Sequence, residues 1–151
     1  MAQKVRFGLW YDFRNPPPST LSFEDLYQEN LRQISWAETL GFESVWLTEH
    51  HFVTDGYTPS PLVIAAAIGQ VTQRMQIGTN LMLLPIADPV RRAEDAAASS
   101  ILTQGRFDLG VGLGYRALEF DYFKRSLKNR PSLMEEGVDI LRQAWSGQPI
   151  E

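Results

Sequence analysis

A chain of 151 residues is long enough for one domain with a real core; 44% of its residues are apolar and 21% charged, and no apolar run nears the roughly 18–20 residues of a membrane span. A formal net charge of −4, with lysine and arginine scattered along the chain, offers no basic surface to a nucleic-acid backbone. The lack of cysteine removes disulfides, thiolate chemistry and Cys-zinc sites and suits a reducing cytoplasm, so the expected protein is cytoplasmic, with neither membrane nor nucleic acid as a partner.

The first residues, "MAQKVRFGLWYDF", pass straight into a strand-like alternation without the apolar core and small-residue cleavage site of a signal peptide. A first strand is predicted over residues 5–11. A first helix opens at Ser22, with Asp25 three positions on as a capping box, carries Phe23, Leu26, Leu31, Ile34, Ala37 and Leu40 on one side, and stops at Gly41. The second strand covers residues 44–49. Ser60 and Pro61 then start a helix whose small apolar run "LVIAAAIG" suits packing between a sheet and a neighbouring helix.

Residues 75–84 read as the third strand. Asp88 and Pro89 open the third helix, with Arg91 and Asp95 spaced for an ion pair, and it ends near Gly105. A fourth strand is predicted over 107–113. Pro131 starts a last helix, with Leu133, Met134, Val138, Leu141 and Trp145 along one side before Gly147. No linker, low-complexity segment or charge block divides the chain, so residues 1–151 read as one domain.

Four strands alternating with four helices imply parallel strands joined by right-handed crossovers, in an α/β fold. A doubly wound open sheet and part of a (β/α)8 barrel both satisfy this order. Both put ligands at the carboxyl ends of the strands, where Tyr11, Asp12, Phe13 and Arg14, then Glu49, His50 and His51, then Thr79 and Asn80, then Gly112, Gly114 and Tyr115 fall.

In the fourth strand Asp108, Gly110, Gly112 and Gly114 share one nearly bare face, which admits two explanations: a bulky group approaching closely, or steric relief where barrel strands crowd. The stretch "GVGLGYR" fails the dinucleotide fingerprint, being G-x-G-x-G rather than G-x-G-x-x-G, and this weakens the open-sheet alternative. Both histidines of the chain sit in "TEHHF". Successive strand residues face opposite ways and no further histidine exists, so a metal site is not expected. His50, in phase with Trp46 and Thr48, is placed to exchange protons at the barrel mouth; the plainer alternative is that both rings satisfy backbone groups at a strand end.

Taken together, "GFESVWLTEHHF", "IGTNLMLLPIADPVRRAEDAAASSILTQGRFDLGVGLGY" and "RPSLMEEGVDILRQAW" resemble the N-terminal half of the bacterial luciferase-like flavin monooxygenase family. The resemblance implies a partial TIM barrel, the first four βα units of a (β/α)8 barrel, that uses reduced FMN and oxygen on a small organic substrate. A deazaflavin serves in related branches. It also implies a flavin reductase as electron supplier and His50 as the proton-transfer residue. Thr79, Asn80, Leu81, Gly112, Gly114 and Tyr115 would seat the flavin, and Trp10, Glu49 and His51 would line the substrate pocket. A non-proline cis bond is implied at Asn80–Leu81, and the glycine face would leave room beside the flavin ring.

Two departures qualify the resemblance. Luciferases proper carry an arginine beside the last glycine of the fourth strand, where this chain has Leu113. A complete barrel needs about 250 residues, and four of eight units are present here. The expectation is therefore an N-terminal half, or a half barrel completed by a second copy in a homo-oligomer. A non-catalytic flavin-binding or assembly domain is the alternative.

Overall fold

A computed structural model describes residues 5–149 of the chain. The expected domain, 1–151, thus includes residues 1–4 and 150–151, which lie outside the described residues. Strand β1 (Gly8–Tyr11), helix α1 (Phe23–Thr39), β2 (Ser44–Leu47), α2 (Pro61–Val71), β3 (Gln76–Thr79), β4 (Met82–Leu83), α3 (Pro89–Leu102), β5 (Phe107–Asp108), β6 (Val111–Gly112), α4 (Ala117–Tyr122) and α5 (Arg130–Ala144) follow in order, with a 3-10 turn at Leu84–Ile86. Strands β1, β2, β3 and β5 form a parallel sheet in that order, and β4 pairs with β6 in a second parallel pair.

The helices start where the sequence chemistry places them. Ser22 Oγ accepts the Asp25 amide at 3.0 Å and donates to the Asp25 carboxylate at 2.8 Å, so the expected box closes through the side chains rather than through the Ser22 amide. Asp88 caps α3 by accepting from the Arg91 amide, and Arg91 pairs with Asp95 at 3.2 Å as expected, and with Glu94 at 2.8 Å. Ser60 makes no side-chain cap, and the proline that follows it starts α2. Gly41 and Gly105 adopt φ of +94° and +77°, a left-handed conformation that lets the chain leave α1 and α3 without a Cβ clash.

Helices α1 and α2 cover one face of the sheet. Ile34 and Ala37 of α1, and Ile64, Ala65 and Ile68 of α2, close over Val45, Leu47 and Ile77. Further along the chain, α3 packs on α2 and α5 on α3, and a second core of Leu84, Ala93 and Leu141 forms around Val111 and Val138. On the other face Trp10, Trp46, Gly78 and Asp108 stand in one row across the sheet. The Trp46 ring lies where a Gly78 Cβ would project, within 2.3 Å, and Trp10 is 68% exposed.

The third and fourth strands are shorter than expected, and each is broken in two. Between β3 and β4 the chain turns through a cis peptide bond at Asn80–Leu81, the position the resemblance implied. Across the gap Thr79 Oγ1 donates to the Gly110 carbonyl at 2.8 Å and accepts the Gly110 amide at 2.9 Å, so a side chain replaces the ladder there. A Cβ on Gly110 would fall 2.1 Å from the Thr79 carbonyl oxygen, and one on Gly112 would fall 2.4 Å from Leu81. The glycine face therefore serves close contact between neighbouring segments, the steric-relief explanation, and at Gly110 and Gly112 it leaves no free space for a ring.

Two long-range ionic groups hold the turn between α2 and β3, one through its carbonyls and one through its amides. The Arg106 guanidinium donates to Thr72 Oγ1 and to the carbonyls of Gly69, Thr72 and Met75, at 2.9–3.1 Å. Two of those four acceptors, the Gly69 and Thr72 carbonyls, lie in the last turn of α2 and at its C-cap, where the helix leaves carbonyls unpaired and its dipole is negative, and the Met75 carbonyl lies just before β3. Arg106→Met keeps the stem and removes all four bonds. It is expected to lower the unfolding free energy by about 2–4 kcal/mol in urea denaturation, given about 1.5–3 kcal/mol for a charged hydrogen bond and incomplete additivity. Glu38 supplies the second grip, on the amides of the same turn.

Candidate active site

The chain leaves β2 at Leu47 with Thr48 and Glu49 buried, turns outward at His50, and buries His51 again. The backbone is held by the His50 amide, which donates to the Tyr57 carbonyl at 3.2 Å. Three non-glycine residues nearby, Phe13, Phe52 and Thr58, have positive φ of 50°, 56° and 31°. Left-handed non-glycine residues are uncommon and gather where surrounding contacts fix a functional loop.

His50 is half-buried. Its Nδ1 lies 2.9 Å from Glu119 Oε1, and its ring meets Tyr57 edge to face at 4.7 Å and Tyr115 at 5.9 Å. The Arg14 guanidinium lies over the Tyr57 ring at 4.9 Å and is tied to Asp55 at 2.5 Å. Glu119 is fully buried. The same Oε1 accepts from the His51 amide at 3.0 Å and from Arg116 Nη1 at 3.0 Å, while Oε2 is buried with no hydrogen-bond partner among the described residues. Arg116 also donates to the His51 carbonyl at 2.9 Å, which locks α4 onto the strand end.

His51 faces the other way, as strand alternation predicts. Its Nε2 lies 3.1 Å from Glu49 Oε1, and its ring packs on Phe123 at 4.7 Å. Glu49 Oε1 also meets Arg92 at 3.4 Å, and Oε2 accepts the Leu83 amide, tying the end of β2 to β4 just past Asn80–Leu81. Each imidazole is thus paired with a buried carboxylate, and each carboxylate with an arginine. Among the described residues no group of three or more metal-ligating side chains converges.

Of the residues expected to seat a cofactor, Asn80, Leu81 and Tyr115 are exposed at the carboxyl ends of the strands, with Leu113 beside them. Gly114 turns the chain there with φ of +70°, against Phe120. Thr79 is 1% exposed and its hydroxyl is committed to Gly110, so its side chain supports the strand rather than facing a ligand. Gly112 is buried beneath Leu81 and acts through it.

Among the expected pocket residues, Trp10 stands free on the open sheet face. Glu49 is 2% exposed with both oxygens engaged, and it shapes the site from behind. His51 lines a separate cleft of about 760 Å³ between α2 and α3, together with Arg92 and Ser99, away from His50.

The sequence reading missed Glu119, Arg116, Tyr57 and Arg92. Glu119 stands 69 positions from His50, on a helix of six residues that is too short to show periodicity. The one available sign was an acid set between Leu118 and Phe120, directly after the glycine-rich strand.

A family model described as luciferase-like monooxygenase matches residues 5–151. The chain is 37% identical over 112 residues to the alkanal monooxygenase alpha chain of the Kryptophanaron alfredi symbiont, covering 74% of this chain and 31% of that one. The crystal structure of monooxygenase RslO1 from Streptomyces bottropensis superposes with a TM-score of 0.88 at 29% identity, over 97% of this chain and 44% of that one. The oxygenating constituent of 3,6-diketocamphane monooxygenase from Pseudomonas putida, a structure in complex with FMN, has the same fold with a TM-score of 0.87 at 22% identity, over 98% of this chain and 41% of that one. The chain spans less than half the length of each of these proteins, and its strands correspond to part of a luciferase-like TIM barrel.

Proposed function

As this chain belongs to the luciferase-like monooxygenase family, we propose that it contributes the flavin-facing half of an oxidoreductase that uses reduced FMN and oxygen on a small organic substrate. The observation that carries the reading is His50, held on the buried Glu119 at the carboxyl ends of the strands, close to the exposed Tyr115. When bound, reduced flavin would supply the electron pair that activates oxygen. Leu81, Leu113 and Tyr115 offer apolar and aromatic surface to a flat ring, and the exposed Asn80 side chain offers an amide donor and acceptor at its edge. His50 would move a proton at Nε2, because Nδ1 is engaged by Glu119. Tyr57, edge to face against the imidazole at 4.7 Å, restricts the tilt of its plane.

The ring surface fits a flavin; the phosphate seat is a different matter. Leu113 stands where luciferases proper carry an arginine, and the nearby Arg14 and Arg116 are spent on Asp55 and on Glu119 and the His51 carbonyl. A deazaflavin in place of FMN is the second reading, as in the F420-dependent secondary alcohol dehydrogenase that shares this fold. Anaerobic titration of the purified chain with reduced FMN, beside reduced deazaflavin, tests both. Saturable binding is expected, and the tighter ligand selects the branch; binding of neither overturns the claim that these residues form the seat.

A further inference from the structure

We propose that the two adjacent histidines are held in opposite tautomers by two buried carboxylates, and that Glu119 is the positioning residue that leaves His50 Nε2 as the proton-accepting atom. Glu119 Oε1 receives the His51 amide and the Arg116 guanidinium, and both groups can only donate. An oxygen already facing two obligate donors is an acceptor, so the third contact, from His50 Nδ1 at 2.9 Å, is an N–H donating to it. A neutral His50 ring therefore has its lone pair at Nε2, which finds no hydrogen-bond partner among the described residues.

The same reasoning gives the reverse answer one residue later. Glu49 faces the Leu83 amide and the Arg92 guanidinium, again obligate donors, and His51 reaches it through Nε2. His51 is thus the Nε2–H tautomer, with its ring turned to Phe123 and the outer cleft. The charged and titratable groups around His50 are Glu119 and Arg116 from the α4 side, Tyr115 after β6, and Tyr57 with Arg14 above it. When Nε2 takes a proton, the new imidazolium keeps its Nδ1–H on Glu119, and the carboxylate offsets the charge at no cost in rearrangement.

The catalytic meaning of this arrangement rests on the flavin reading, but its tautomeric content does not, and the test separates the two. Long-range proton–nitrogen spectra of the 15N-labelled 151-residue chain, at a pH where both rings are neutral, read each tautomer without flavin or substrate. The expected spectrum has one ring with a pyrrole-like Nδ1 and one with a pyrrole-like Nε2, and His50→Gln removes the first. Two rings of the same tautomer overturn the proposal.

Glu119→Gln, whose carbonyl oxygen can still accept all three donors, is expected to preserve the pattern. Glu119→Leu is expected to return His50 to the Nε2–H form and, in a turnover assay, to lose about 10²-fold or more, the lower range for a positioned acid–base group. An unchanged His50 tautomer in Glu119→Leu would reduce Glu119 to a structural role. If that variant fails to fold, the wild-type and Gln spectra still decide. Failure of flavin binding with opposite tautomers intact would count against the flavin reading alone.

Discussion

His50→Ala is expected to lower flavin-dependent turnover by about 10²–10⁴-fold, the range for removing a positioned general acid–base group, while leaving the affinity for reduced flavin largely unchanged. The two effects separate because of geometry. In the proposed seat the surface for the ring comes from Asn80, Leu81, Leu113 and Tyr115, whereas His50 is tied to a different element, through Glu119 of α4. On the proposed function, removing the imidazole takes away the proton acceptor and leaves the apolar seat in place. Stopped-flow turnover beside anaerobic flavin titration checks this. Unchanged turnover would remove His50 from the chemistry, and a parallel collapse of flavin affinity would make it a seat residue instead.

Glu38→Ala is expected to cost about 2–4 kcal/mol of stability, from about 1–3 kcal/mol for each buried donor left unpaired, discounted where water can reach it. Glu38 lies in the last turn of α1, where the helix dipole disfavours an anion. Its carboxylate is nonetheless held by the amides of Gln73, Arg74 and Met75, at 2.6–3.1 Å. Gln73 and Arg74 are exposed, so water can replace part of the loss there; Met75 is 1% exposed, so its amide cannot be rescued. Because folded domains hold only about 5–15 kcal/mol in all, a loss of this size is easily read in urea denaturation.

The same group sets an acid sensitivity whose sign is fixed. Burial tends to raise the Glu38 pKa, but the three backbone amides and the charge of Arg74 together bring it below the ordinary 4.5. With the folded value depressed, the unfolded chain takes up the proton first as pH falls. The stability due to Glu38 is therefore complete above about 4.5 and lost as pH drops through the lower folded value. Stability of Glu38→Ala should be flatter over that acid range than that of the parent chain. Equal slopes would show that the carboxylate does not carry the effect.

The sequence by itself determined the alternation of the main strands with α1, α2, α3 and α5, because that information is local, but it did not show the short α4. Apolar spacing in α1, the Asp88–Pro89 start of α3 and the left-handed stops at Gly41 and Gly105 each depend on residues within a few positions of one another. The ordered motifs also carried the family, the partial barrel and the bend at Asn80–Leu81. Only the tertiary structure decided how those elements meet. It cut the third and fourth strands short, because Thr79 and Gly110 replace the ladder with a side chain, and it filled the glycine face that the sequence had left open.

Tertiary structure also decided which neighbour each histidine takes. The pattern of alternation separated His50 from His51, but nothing local pointed to Glu119, 69 positions away, or to Arg92 behind Glu49. Nor did spacing show that Glu38 and Arg106 would both hold one turn. Hydrogen bonds between buried charges depend on which surfaces the packed core brings together. That is a property of the closed chain, and no short window of sequence contains it.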